Sequence, residues 1–301
     1  MPELPDIVTY IAALERRILG EPIERVRVRS PFVVRTADPP MSAAEGKTVQ
    51  AIRRMGKRIV LALDDELRVV FHLMIAGRLH WRDPNAPLGS RYALAAFDFL
   101  RGTLVLTEAG AKRRASIHVV RGDAALAEFA RGGVEVLEAD VATFAEALRR
   151  ETHTVKRALT DPTLFSGIGN AYSDEILHRA KLSPLALTTK LTDEEVARIF
   201  GATREILTEW IRRLGEEAGL GFPEKVTAFR EGFAVHGRYG KLCPVCGAPV
   251  QRIVFAENEA NYCARCQTGG RLLADRSLSR ILKGDWPKTL EELEERRRRA
   301  G

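Results

Sequence analysis

The chain has 301 residues, 45% of them hydrophobic, and a formal net charge of +7. That length and apolar content exceed one small module and give two or three compact units, while the basic balance favours a polyanionic partner. No apolar run approaches the roughly 20 residues of a membrane span, and the opening MPELPDIVTY lacks the layout of a signal peptide, so a cytoplasmic protein is expected.

Ile7, Ile11, Leu14 and Ile18 share one helical face within residues 5–19, and Gly20 supplies a stop. Short alternating or apolar runs follow at 23–28, 58–63, 68–73, 92–99, 103–107 and 116–120, with turns at Asp64-Asp65 and Arg101-Gly102. Their dense spacing predicts an antiparallel sandwich or barrel to about residue 135. From about 141 the pattern is helical, over 143–150, 155–160, 170–181 and 193–214. Residues 219–232, rich in glycine, read as a mobile loop. An apolar patch at 278–282 and a charged tail, read as a solvated helix or frayed end, close the chain.

All four cysteines fall in Cys243-Pro-Val-Cys246 and Cys263-Ala-Arg-Cys266, a C-x2-C-x16-C-x2-C pattern. Two such knuckles can present four thiolates to one tetrahedral Zn²⁺, with residues 249–255 as one strand of a hairpin returning to Tyr262. A four-ligand site has no open position for water, so the zinc is expected to be structural. Residues 225–283 hold ten Lys or Arg against four Asp or Glu, which suits a phosphate-facing patch.

Proline at position 2 permits removal of the initiator methionine and so exposes a secondary amine. An α-amine titrates near about 7.7–8.0, so a useful fraction is neutral and nucleophilic at physiological pH. Attack by Pro2 on a sugar C1′ gives an iminium, and Glu3 lies close enough to donate a proton as the ring opens. Gly56 before Lys57 allows a tight turn that projects an ammonium group towards a phosphate or the reacting sugar. Gly167-Ile168-Gly169-Asn170 precedes a helix, where Asn170 can bind phosphate, cap the helix, or both.

Pro2-Glu3-Leu4-Pro5, Met55-Gly56-Lys57-Arg58, Gly167-Ile168-Gly169-Asn170 and the cysteine ribbon, in this order and spacing, resemble the formamidopyrimidine-DNA glycosylase and endonuclease VIII family over about residues 1–270. The resemblance implies an α+β multidomain chain: a β-sandwich with an opening helix (1–135), a helix-two-turn-helix domain (141–222), a zinc ribbon (236–270) and an extension (271–301). It implies a monomeric DNA repair glycosylase with lyase activity on double-stranded DNA carrying damaged bases or abasic sites. Pro2 is then the nucleophile, Glu3 the acid, Lys57 the β-turn lysine, and Asn170 a contact to the DNA backbone.

Four positions depart from the family pattern. Ile75 stands where a methionine often fills the space left by the extruded base, with Met74 beside it. The second insertion loop, with Arg113, has no aromatic residue. Asn258 replaces an arginine five residues before the third cysteine, and Asp6 replaces a glutamate. These departures bear on lesion choice and on completeness of strand cleavage. The alternatives are a non-catalytic damaged-DNA-binding protein on the same scaffold, or a zinc-ribbon protein with another partner.

Overall fold

The computed structural model describes residues 1–110, 112–255, 258–274 and 287–300. The chain divides into two compact units, one built from residues 1–132 and 208–228, the other from 133–207 and 229–301.

The first unit opens with α1 (Leu4–Ile18), whose Ile7, Tyr10, Leu14 and Ile18 are fully buried, as the 3.6-residue periodicity requires. Eight strands follow: β1 (Arg25–Val28), β2 (Val49–Met55), β3 (Arg58–Leu63), β4 (Leu67–His72), β5 (Gly77–Arg82), β6 (Ala93–Phe99), β7 (Gly102–Glu108) and β8 (Ser116–Arg121). They form two four-stranded antiparallel sheets, ordered β1-β6-β7-β5 and β2-β3-β4-β8.

Alternation assigns each side chain to a face. Ile59, Leu61, Leu63, Val69, Phe71, Ile117 and Val119 of one sheet share the main core with Phe97, Phe99, Leu104 and Leu106 of the other and with α1. The opposite-facing Val60, Val70 and Val120 are covered by Leu126 of a short helix, α2 (Gly122–Ala127). Burial on both faces explains why β3 reads as a continuous apolar run.

Two strands and α2 were not foreseen. In β2 a register shift between Val49 and Ala51 breaks the alternation, and Arg53-Arg54 dilutes what remains. In β5 only Leu79 is a fully buried apolar residue, flanked by Arg78 and His80. The helix α2 is six residues long and opens on a glycine with φ 77°.

The second unit contains α3 (Val141–Arg149), α4 (Val155–Thr160), α5 (Asn170–Arg179) and the first half of α6 (Asp193–Ala218). Asp140 caps α3 by accepting from Thr143 N at 2.8 Å. Thr192 and Glu195 form a reciprocal capping box at α6, with bonds of 3.0 and 3.2 Å. Phe144 packs on Phe165 and Phe200 in the helical core. Helix α6 continues four residues past the expected stop at Leu214, because Gly215 is carried within it, spanned by the Arg212–Glu216 ion pair and preceded by the Arg213–Glu209 pair. A hairpin of β9 (Gln251–Phe255) and β10 (Asn258–Tyr262), then α7 (Ala264–Thr268) and a terminal helix (Leu290–Ala300), complete the unit. The apolar patch at 278–282 lies outside the described residues. Among those described, no helix is long and apolar enough to cross a membrane.

Residues 219–228 form no regular element, but the expectation of mobility is corrected. Val226 is buried in the sandwich core, Phe222 packs on Tyr10, and Arg16 and Arg17 donate to the carbonyls of Gly219 and Leu220. Glu224 is gripped by His80 at 2.6 Å and Arg82 at 2.8 Å. Burial opposes its charge, but the hydrogen bonds from His80 and Arg82 prevail and hold the carboxyl near 2.

The connection between β4 and β5 is closed by Gly77, whose N–H donates to Leu73 O at 2.9 Å. A Cβ at Gly77 would stand 2.2 Å from that oxygen, so only glycine fits. Gly77→Ala is therefore expected to cost about 1–3 kcal/mol through overpacking, read as a lower denaturant midpoint; an unchanged midpoint would show the turn to be compliant.

Candidate active site and metal centre

The chain's own N-terminus is the centre of the first unit. Pro2 and Glu3 are buried, and Glu3 is the residue from which α1 starts. Its N–H donates to Asp6 Oδ2 at 2.8 Å while its side chain accepts from the backbone N–H of residue 6, a capping box in which Asp6 does the work usual for glutamate. The departure at position 6 thus leaves the capping box intact.

The hairpin joining β2 and β3 has a two-residue turn, Gly56-Lys57, closed by the Met55–Arg58 pair. Gly56 has φ 60°, the geometry of a type II′ turn, and this places Lys57 at its second corner. Burial lowers the Lys57 pKa, and the Glu3 carboxylate opposes that shift. With Met1 present the free amine is that of Met1. Burial lowers its pKa, Glu3 raises it, Arg78 lowers it, and Asp6 and Lys57 act in turn as raising and lowering charges. The fold therefore brings the terminus, Glu3 and Lys57 into one electrostatic neighbourhood. It adds Arg78, which the sequence hid because β5 itself was not legible.

A second group missed in the sequence is His72. It pairs in register with Arg58 on one side and Ser116 on the other. Burial, then the charges of Arg58, Lys57, His118 and Arg131, push its pKa to about 4. Burial and the charges of Arg58 and Arg35 lower His118 as well. Such crowding of cations is relieved by an anion.

The remaining candidates are dispersed. Ile75 is 59% exposed at the tip of the β4–β5 connection, next to half-buried Met74 with φ 53°. Arg113 is exposed in the β7–β8 connection, which Glu108 closes by accepting from Arg114 N and Ala115 N, each at 3.0 Å. The N-cap of α5 is Gly169, so Asn170 does not cap; as the first helical residue it donates from Nδ2 to Glu259 O at 2.9 Å. Asn258 opens β10 opposite Phe255, and its side chain lies outside what the structure describes.

In the second unit the four cysteines converge. Cys246 and Cys263 sulfurs are 3.4 Å apart, and Cys243 and Cys266 sulfurs 3.9 Å apart. A disulfide needs about 2.05 Å. Tetrahedral zinc with Zn–S near about 2.3 Å sets sulfur separations of about 3.8 Å, so the donor set fits zinc. Gly247, with φ 72°, turns the first knuckle, and Cys263 caps α7. His178 of α5, absent from the sequence reading, places Nε2 3.3 Å from Cys243 Sγ, and its donor atom clusters with those of Cys243, Cys263 and Cys266 within 4.8 Å. Burial, with Arg179 beside it, holds His178 near 4 and therefore neutral. No sequence spacing links His178 to the ribbon, 65 residues away.

A two-unit α+β protein, with a buried cluster at its own N-terminus and a structural zinc in its second unit, is the class that fold and sites define. Family models agree along the chain: the formamidopyrimidine-DNA glycosylase N-terminal domain matches residues 1–115, the formamidopyrimidine-DNA glycosylase H2TH domain 133–219, and a zinc finger found in FPG and IleRS 240–269. The formamidopyrimidine-DNA glycosylase of Salinispora arenicola is 34% identical, over 89% of this chain and 96% of its own. The structure of MutM in complex with DNA containing carbocyclic 8-oxo-G aligns with a TM-score of 0.79 at 29% identity, covering 89% of this chain and all of that one. Lactococcus lactis Fpg in complex with abasic-site DNA aligns at 0.79 and 28%, covering 88% and 99%. The chain belongs to the formamidopyrimidine-DNA glycosylase family, and its ribbon is a zinc site.

His178, Cys243, Cys263 and Cys266 cluster and Cys246 stands beside Cys263, one donor more than the four that zinc takes. If the four thiolates ligate and His178 donates a hydrogen bond to Cys243, Cys246→Ser should lose the zinc. His178→Ala should keep one zinc per chain with about 10–100-fold weaker affinity. Metal content by mass spectrometry decides, and full zinc retention in Cys246→Ser would make His178 the fourth ligand.

Proposed function

We propose that this glycosylase family member excises damaged bases from duplex DNA through the amine of Pro2, freed by removal of Met1, and then nicks the strand as a lyase. The observation that carries the reading is the buried N-terminus, whose amine is kept less basic by its surroundings with Glu3 and Lys57 in reach.

The neutral amine attacks C1′ as the glycosidic bond breaks; the base leaves with the bond's electron pair and takes a proton from water, while the Pro2 N–H proton passes to the Glu3 carboxylate. Glu3 hands that proton to the ring oxygen as C1′–O4′ opens, leaving an iminium between Pro2 and C1′. Loss of a C2′ proton breaks the C3′–O bond and expels the 3′ phosphate. Water then hydrolyses the iminium and releases the chain. Lys57, with Arg58 and Arg131, supplies a cationic floor for the phosphates flanking the lesion, to which neutral His72 can add a hydrogen bond, and Asn170 supplies a contact in the second unit. Ile75, apolar and exposed at a tip fixed by Gly77, suits the space left by an extruded nucleotide.

Borohydride trapping on abasic or oxidised duplexes, with zinc-loaded protein lacking Met1, is expected to yield an adduct mapped to Pro2. Pro2→Gly should excise far more slowly while still binding DNA, and undiminished excision by that variant would overturn the mechanism. Because burial and the Arg78 and Lys57 charges lower the pKa of an amine at this position, trapping should rise with pH and level off below the ordinary α-amine value of about 8. Lys57→Met should move that midpoint upwards, and no movement would place Lys57 outside the amine's reach.

A further inference from the structure

The cations and aromatic rings around the β7–β8 connection are not used by the chemistry above. Beside them the 3₁₀ turn Pro31–Val33 is held in place. Val33 is buried, the N–H groups of Arg29 and Ser30 both donate to Leu94 O at 2.9 and 3.0 Å, and Arg35 N donates to Ile117 O at 3.0 Å. Held in this way, the turn directs Phe32 into solvent with 80% of its surface exposed.

Phe32 stands at a cavity of about 360 Å³ that it lines together with Arg35, Leu94, Glu108, Arg113 and Ala115. Among the described residues neither Arg35 nor Arg113 has a carboxylate within ion-pair distance. The oxygens of Glu108, the acid at this cavity, are engaged by the N–H groups of Arg114 and Ala115. Arg113 itself is steadied by a 3.0 Å bond to Arg91 O, and the Arg91 guanidinium lies 4.7 Å over the Tyr92 ring. A fixed exposed aromatic face, a cavity beside it and two guanidinium groups without an ion-pair partner among the described residues match a planar base with a neighbouring phosphate.

We propose that Phe32, Arg35 and Arg113 form a second nucleotide subsite, in which Phe32 stacks on an unpaired base of the bound DNA and the arginines take its phosphate. The proposal rests on the DNA-repair reading. It provides a stacking residue from a part of the chain distant in sequence from the insertion loop, which has no aromatic of its own.

The test uses the full-length, zinc-loaded protein and duplexes with 2-aminopurine either as a single-nucleotide bulge or fully paired. The unsubstituted protein and Phe32→Trp should quench the bulged probe, with the indole emission of the latter changing on binding. Phe32→Ala should bind the bulged duplex about 5–150-fold more weakly, with its affinity for the paired duplex, its trapping at an abasic site and its melting temperature unchanged. A Phe32→Ala protein that keeps the full preference for the bulge while still trapping removes the subsite alone. Failure of the unsubstituted protein to bind or trap any duplex removes the repair reading, and the subsite with it.

Discussion

A chain end is ordinarily the least ordered part of a protein, yet here it is buried and bonded. The reciprocal bonds between Glu3 and Asp6 fix the first turn of α1, and Ile7, Tyr10, Leu14 and Ile18 lock the rest of that helix into the sandwich core. Everything chemical in the first unit depends on that constraint. An amine with fixed neighbours has a defined basicity, whereas an amine on a fraying tail would titrate as it does in water. The two-residue turn carrying Lys57 meets it from β2 and β3, and Arg78 from β5, so three separate stretches of backbone hold one small volume of charge.

The second unit is organised by α5, whose sequence Asn-Ala-Tyr-Ser-Asp-Glu looks like a solvated surface but is almost entirely buried. The polar groups are satisfied within the unit. Glu175 accepts from the N–H groups of Ala234, Val235 and His236, bonds that counter the upward push of burial on its pKa. Asp174 is shared by Lys156 at 2.6 Å and His236 at 2.8 Å, and Lys156 also donates to Asn170 O. Truncating any partner would leave a desolvated charge, which costs more than the bond is worth. The same helix supplies His178 to the zinc cluster, so metal and polar network act on one element.

The parts legible in the sequence were those whose signal is local. The helical face of α1, the apolar run of β3, the cysteine spacing and the Gly56-Lys57 turn each lie within a few residues. What was hidden depends on distant pairing. Recognising His178 needs the fold of α5 against Cys243, and the role of His72 needs β3 and β8 on either side. The anchoring of 219–228 needs Tyr10, His80 and Arg82, none of which is near in sequence. Gly215 misled because a lone glycine weakens a helix without ending it when flanking ion pairs and packing persist. Asn170 misled because its residue type suits a cap, while Gly169 before it takes that place.

Neither unit is a continuous length of chain. Residues 208–228 return to the sandwich unit after the chain has supplied about half of the second one, and they bring Val226 into its core and Glu224 onto β5. A cut after Gly132 would therefore not liberate a complete sandwich; it would strip an apolar plug and an ion-paired strap from its wall. During synthesis the first unit is finished only once more than two thirds of the chain has emerged, which ties its completion to the prior appearance of the helices that follow residue 132. Any transplant of this unit into another protein would have to carry both pieces together.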